Sequence, residues 1–242
     1  MTYDELVEEL TQDVEPYGIE LTDKQKDKLV RHLMLVIQKN QTVNLTRITN
    51  ERDAVVLHIL DSLLMAGMVE ETPKGRFMDI GTGAGFPGLP LVVVTGRKGV
   101  LVDSVAKKAN AVEEFVQELG LRTRATVRAG RVEEMPARDR CGYTAVVARA
   151  VGQINTLIEY AAPLLQIGGR LVVTKAYPSD EEMEAGLRAA EICGFEPAEY
   201  ETHDLPRGLG HREIYSYELV RHARIGLPRK VGMAQHHPLG LR

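Results

Sequence analysis

Phe77-Met78-Asp79-Ile80-Gly81-Thr82-Gly83-Ala84-Gly85-Phe86-Pro87-Gly88 joins a short apolar run ending in an acid to three alternating glycines. The run predicts a strand and the glycines a turn into a helix. Without a Cβ, Gly81, Gly83 and Gly85 can take positive φ and lay bare backbone against a ligand, with N–H groups as donors. Twenty-two residues beyond Gly81 a second apolar run, Gly99-Val100-Leu101-Val102, also ends in an acid, Asp103. That spacing suits a carboxylate on a ribose diol.

Two cofactors fit this pattern. A nicotinamide register, G-x-G-x-x-G, can be laid on Gly83, Gly85 and Gly88, and Pro87 in a first helical turn does not exclude it. The register acid-x-Gly-x-Gly-x-Gly from Asp79 suits S-adenosylmethionine, which has no phosphate and whose ammonium takes a carboxylate such as Asp79. The glycines alone leave both open, beside a plain strand-to-helix turn with no ligand.

Outward from the turn, apolar runs at 76–80, 99–103, 124–128, 144–148 and 170–175 predict strands, and the segments 87–95, 105–119, 153–166 and 179–193 predict helices. Strand and helix in alternation mean a mostly parallel sheet covered on both faces, an α/β Rossmann-like fold. Asp79, Asp103, Gly130, Arg149 and Lys175 then fall at or just past strand ends and converge on one crevice. Residues 197–202 and 212–219 have the spacing of an antiparallel hairpin, an ending suited to methyltransferase sheets and foreign to dinucleotide folds. Ahead of the sheet, Tyr3, Leu6, Val7 and Leu10 make one amphipathic helix, and Thr22 with Gln25 caps a second. Val55, Val56, Ile59, Leu60, Leu63 and Leu64 predict a third. The expected organisation is a helical extension over 1–70, a Rossmann-like domain over 71–222 and a basic tail over 223–242.

The 242 residues can bury an ordinary core. The formal net charge of −4 is unevenly spread: residues 1–20 carry seven acids and no Lys or Arg, whereas 207–242 carry seven Lys or Arg and two acids. A basic tail can dock a polyanion or stay solvated. Cys141 and Cys193 lie far apart and are expected to be core thiols, with neither a disulfide nor a metal site. No run approaches the ~20 apolar residues that span a bilayer. A cytoplasmic monomer with no membrane partner is expected.

A dehydrogenase would also supply a proton-transfer group such as Tyr with Lys four residues on, and none of the eight tyrosines has one. Methyl transfer to a nucleobase ring nitrogen needs less: guanine N7 has a free lone pair and needs no base, so orientation does most of the work. Arg149 ends the apolar run Ala145-Val146-Val147-Ala148, where a cation can pair with a carboxylate, a phosphate or a base edge, or simply with Asp79 or Glu133. Lys175 poses the same question less sharply. His58 and Asp61 share a helix face and can touch each other.

The segments Val43-Asn44-Leu45-Thr46, His58-Ile59-Leu60-Asp61-Ser62, Asp79 to Gly88, Val102-Asp103-Ser104, Arg131-Val132-Glu133-Glu134, Ala148-Arg149-Ala150-Val151 and Thr174-Lys175-Ala176 together resemble the glucose-inhibited division protein B family in order and spacing. The resemblance runs from about residue 5 to the C-terminus. It implies a class I methyltransferase that uses S-adenosylmethionine to methylate N7 of one guanine in a decoding-region loop of 16S rRNA, free or in a small-subunit precursor. It also implies cofactor contacts at Gly81, Phe86, Val132, Glu133 and Arg149, with Asp79, Gly83, Gly85, Asp103 and Ser104 alongside. Catalytic roles fall to Arg149, Lys175, His58 and Asp61, and RNA contacts to Asn44, Arg47 and Arg131. Leu227-Pro228-Arg229-Lys230 resembles a basic tail of the family, which adds Arg229 and Lys230 to the RNA contacts. An RNA-binding factor that keeps the pocket without turnover is compatible with the same residues.

Overall fold

A computed structural model of the chain describes residues 1–241, without the side chain of Pro136. Helices α1 (Tyr3–Val14) and α2 (Asp23–Asn40) each begin in a capping box, Thr2 with Glu5 and Thr22 with Gln25. Each box satisfies N–H groups that a helix start leaves orphaned. Then α3 (Glu51–Ala54) runs through a π-helical stretch, Val55–Leu60, into α4 (Asp61–Leu63), followed by α5 (Ala66–Glu70). The third helix expected from the sequence is thus not regular. π-Helical turns recur at functional sites, and this one carries His58.

The sheet domain follows as β1 (Phe77–Ile80), α6 (Gly88–Thr95), β2 (Gly99–Asp103), α7 (Ala106–Glu118), β3 (Ala125–Ala129), a 3-10 turn (Val132–Glu134), α8 (Pro136–Asp139), β4 (Tyr143–Arg149), α9 (Ile154–Ala161), β5 (Leu165–Lys175), α10 (Asp180–Cys193), β6 (Phe195–Asp204) and β7 (His211–Leu219), with a short α11 (Met233–His236) in the tail. The seven strands lie in the order β3-β2-β1-β4-β5-β7-β6. The first five are parallel, whereas β7 runs antiparallel to both β5 and β6. An antiparallel β7 between β5 and β6 departs from the dinucleotide order 3-2-1-4-5-6 and removes the nicotinamide alternative at the level of the fold. Strand β5 begins at Leu165, not at residue 170, because α9 stops at Ala161 and Pro163 cannot carry a helix forward.

Strand order reverses between β1 and β4, where crevices open beyond the strands' carboxyl ends. There Ile80 lies opposite Ala148, so the Gly81 turn and Arg149 leave the sheet side by side. One face of the sheet, with Phe77, Leu101 and Val147, shares a single core with Leu6, Leu33 and Ile59 of the helical extension. On the opposite face Met78, Val146 and Val173 meet Ile154 and Ile158 of α9. Leu227 and Ala234 of the tail join that second core. Cys193 is buried as expected, but Cys141 is exposed, since it sits in the turn before β4 at a φ of 51°.

The tail is neither a solvated terminus nor a free arm. Arg229 clamps Glu159 of α9 with Nε 2.6 Å from Oε1 and Nη2 2.5 Å from Oε2. Thr156 donates its hydroxyl to Ala234 O at 3.2 Å, and Asn155 Nδ2 donates to Leu239 O at 2.8 Å. The RNA-contact reading of Arg229 therefore gives way to a structural one: its fork is spent on an acid that is only 3% exposed. Arg229→Ala strands that carboxylate and is expected to cost about 3 kcal/mol in urea unfolding, whereas the paired replacement Arg229→Met with Glu159→Leu costs much less. Equal losses from the two would show that the charge pairing is not what holds the tail.

Candidate active site

Gly81, Gly83 and Gly85 adopt φ of 71°, 57° and 93°. A Cβ on Gly81 would stand 2.5 Å from Val151 Cγ2, and one on Gly88 would stand 2.6 Å from Asp79 Oδ2. Gly81 keeps the turn open, and Gly88 lets α6 start against β1. The second acid, Asp103, fixes the turn from the side. Its Oδ2 accepts the Gly83 N–H at 2.9 Å and its Oδ1 the Val105 N–H at 2.8 Å.

Asp79 is placed otherwise than the sequence suggests. It is wholly buried beneath the turn, where Oδ2 accepts the Gly88 N–H at 2.9 Å and the Thr82 hydroxyl stands beside the carboxylate. Burial pushes its carboxyl up to about 7. It lines neither cavity of the crevice, so it braces the start of α6 and is not presented to a ligand's ammonium.

Two cavities meet at Gly81. The larger, of about 540 Å³, is lined by Thr46, His58, Phe86, Arg149, Lys175 and Arg212 among others. The smaller, of about 80 Å³, lies between Ser104, Gly130, Val132, Glu133, Tyr160 and Gln235.

In the larger cavity Arg149 Nη1 donates to Asp61 Oδ2 at 2.9 Å and to Leu57 O at 2.8 Å. Arg212 Nε donates to Asp61 Oδ1 at 2.9 Å. Arg149 thus pairs with Asp61 and not with Asp79 or Glu133, because the end of β4 faces the π-helical turn. His58 and Asp61 are joined through this same arginine. Arg149 Nη2 lies 3.4 Å from His58 Nδ1, and His58 Nε2 lies 2.9 Å from Thr46 Oγ1. A guanidinium only donates, so Nδ1 accepts and Nε2–H faces Thr46. Burial, then Arg149, push His58 down to about 3.

The Phe86 ring is held between two imidazoles, His58 at 4.7 Å and 8° and His32 at 4.3 Å and 29°, with the Arg149 guanidinium 5.6 Å from its centroid. His32 donates Nε2–H to Ala84 O at 2.9 Å, and burial lowers it to about 4. Lys175 Nζ reaches Gly152 O and Glu182 Oε1, each at 2.6 Å. Asn44 and Arg47 are exposed on the loop whose Leu45, Thr46 and Ile48 line the cavity.

In the smaller cavity Glu133 Oε1 accepts the Gly232 N–H at 2.9 Å and an Arg131 N–H at 3.3 Å. Burial raises the Glu133 carboxyl, but these bonds and one from its own N–H outweigh it and leave the group below its ordinary range. Arg131 Nη2 also donates to Gln235 Oε1 at 3.1 Å, so it too is turned inward, while Lys230 is exposed. Glu133 and the Tyr160 hydroxyl are both buried and stand beside each other, and burial, then Glu133, push the phenol up to about 12.

His32, Thr46 and Arg212 stand at the site without having been singled out from the sequence. His32 had a signal, a polar side chain inside the apolar stripe Leu29, Val30, Leu33 and Val36. Thr46 stood within a motif already quoted. Nothing short of the sheet topology brings Arg212 to Asp61.

The family model for rRNA small subunit methyltransferase G matches residues 25–210. The Ribosomal RNA small subunit methyltransferase G of Carboxydothermus hydrogenoformans is 33% identical over 228 residues, covering 92% of this chain and 95% of that relative. The protein of the same name from Deinococcus radiodurans is 36% identical over 217 residues, covering 88% of this chain and 85% of its own length. Among solved structures, the O-methyltransferase from Bacillus cereus in complex with SAH aligns with a TM-score of 0.59 at 15% identity, over 86% of this chain and 96% of that one. A geranyl diphosphate methyltransferase in complex with GPP and sinefungin aligns with a TM-score of 0.58 at 13% identity, over 81% of this chain and 100% of that one. Likeness at that distance concerns the fold. With the motif order, the strand order and close relatives over most of its length in agreement, the chain belongs to the rRNA small subunit methyltransferase G family.

Proposed function

We propose that the protein transfers a methyl group from S-adenosylmethionine to N7 of a guanine in the decoding-region loop of 16S rRNA, acting as a cytoplasmic monomer on the small subunit or its precursor. The observation that carries this reading is the Gly81 turn between two cavities of different make. On one side Ser104, Gly130, Val132, Glu133 and Tyr160 enclose a small space suited to a nucleoside base. On the other, Arg149 and Arg212 converge on Asp61 around a roomier cavity suited to a flipped base.

The fit to the cofactor rests on this chain's own groups. A Cβ at Gly81 would run into the Val151 side chain that packs against the turn, and the positive φ would strain it, so the turn that parts the two cavities needs glycine there. The buried Asp103 carboxylate fixes the turn through two N–H groups, and Val132, Glu133 and Tyr160 enclose the base end. The bound cofactor supplies an S-methyl sulfonium, already a good leaving group. Phe86, wedged between two neutral imidazoles, gives the acceptor cavity a firm apolar wall. Arg149 and Arg212 present N–H donors and positive charge toward the acceptor, and Asp61 holds both in place. His58 stays uncharged and orients Arg149. Lys175, tied to Gly152 and Glu182, shapes the mouth of the cavity.

Methyl incorporation into small subunits that lack the modification tests the reading. Arg149→Ala is expected to lower kcat/KM by about 100-fold through lost orientation, and Asp61→Asn by about tenfold. Gly81→Ala is expected to abolish calorimetric binding of S-adenosylhomocysteine. Native titration curves for Gly81→Ala would overturn the cofactor placement. The imidazoles set a pH dependence as well. His58 titrates near 3 in the fold and near 6.5 when unfolded, so the unfolded chain takes up the proton first. Its neutral state adds stability that is complete above pH 6.5 and drains away as pH falls toward 3. His58→Gln should therefore flatten stability against pH in that window, by up to about 1.4 kcal/mol per pH unit. An unaltered slope would mean His58 is not held neutral.

A further inference from the structure

Tyr177 is 77% exposed, just past the end of β5. The antiparallel register, Lys175 opposite Glu213, carries on to set Tyr177 across from His211, the first residue of β7. The two rings stack, with centroids 5.2 Å apart and planes 14° from parallel. The imidazole beneath is held from both sides: Nδ1 lies 2.8 Å from Asp204 Oδ1, and Nε2 lies 3.0 Å from Thr202 Oγ1. One face of the tyrosine ring therefore rests on a fixed support, while the ring as a whole stands in water.

A single exposed aromatic on a surface needs no explanation in itself. This one follows in the chain directly on the wall of the larger cavity. Its chain neighbours Lys175 and Ala176 line that cavity, as does Arg212, which follows His211. Strand β5 and strand β7 thus deliver the stacked pair and the cavity wall together. Unpaired RNA bases are bound by stacking on aromatic side chains, with little regard to which base it is.

We propose that Tyr177, backed by His211, is a stacking platform for an unpaired base of the RNA substrate, next to the base that enters the cavity. The inference rests on the rRNA methyltransferase reading above and adds a subsite to it. The platform sets affinity and strand register, because a π-face does not distinguish one base from another. The target base is chosen inside the cavity.

Two variants test it. Tyr177→Phe keeps the ring and Tyr177→Ala removes it, and neither touches the cavity floor. The probe is a short single-stranded oligoribonucleotide carrying 2-aminopurine, read by fluorescence, together with KM and kcat on small subunits. Native protein and Tyr177→Phe are expected to quench the probe, whereas Tyr177→Ala does not. Tyr177→Ala is expected to raise the Kd and KM for RNA by about tenfold, with kcat and S-adenosylhomocysteine affinity unchanged. RNA affinity of Tyr177→Ala equal to native overturns the platform, and so does a Tyr177→Phe protein that behaves like the alanine variant. Native protein that quenches the probe yet transfers no methyl group supports the platform while overturning the enzymatic reading beneath it.

Discussion

The Asp61 carboxylate, shared by the guanidiniums of Arg149 and Arg212, is the contact on which the rest of the site depends. It ties together the helical extension, the end of β4 and the start of β7. Desolvating three charges is costly, and a buried ion pair adds little net stability over well-packed apolar residues. Its effect here is geometric: only one arrangement of the three segments gives both carboxylate oxygens their partners. One acid against two guanidiniums also leaves an excess positive charge at the cavity. His58 adds none, since it stays neutral between Arg149 and Thr46. That excess faces what an electron-rich base edge or a phosphate brings to it.

The glycine turn, the Asp103 carboxylate, the parallel strands and the closing hairpin were legible in the sequence because each follows from local pattern: period, chain direction and φ. Arg149 was legible as a cation where a strand end ordinarily carries none. Its partner was not. Asp61 comes to it from 88 residues away and meets Arg212 across 151, and no spacing rule couples an acid on an irregular helix to the start of a late strand. Asp79 shows the same limit at short range. An acid at a strand end can reach a ligand or brace the next helix, and the choice was made by Gly88, whose missing side chain lets α6 close over the carboxylate. The tail was misread because its basic composition says nothing of Glu159, the buried acid waiting on α9.

Charge counted along the chain therefore does not map the charge of the folded surface. The acid-rich N-terminus is met inside the fold: Asp13 pairs with Arg207, and Glu9 with both Arg52 and Arg207. Two of the tail's arginines are met as well, Arg229 by Glu159 and Arg224 by Glu191. What remains around the crevice is Lys108 and the excess of Arg149 and Arg212 over the one Asp61 on its walls, with Arg47 exposed on the adjoining loop. Within a Debye length of about 10 Å such charges act on a phosphate strand together. An acidic protein can thus offer a polyanion a cationic opening without a cationic arm.

The same economy of protonation governs the chemistry. Both His58 nitrogens are engaged, Lys175 is tied to a carbonyl and a carboxylate, and Asp79 lies under the turn away from either cavity. Among the described residues lining the acceptor cavity, no group stands ready to take a proton. A reaction that required deprotonation would find this site poorly equipped, whereas an acceptor that carries its own lone pair needs only to be held in line. The tail then gains a role its composition hid. Gly232 and Gln235 close the smaller cavity through Glu133 and Arg131, so whatever loosens the tail loosens that wall.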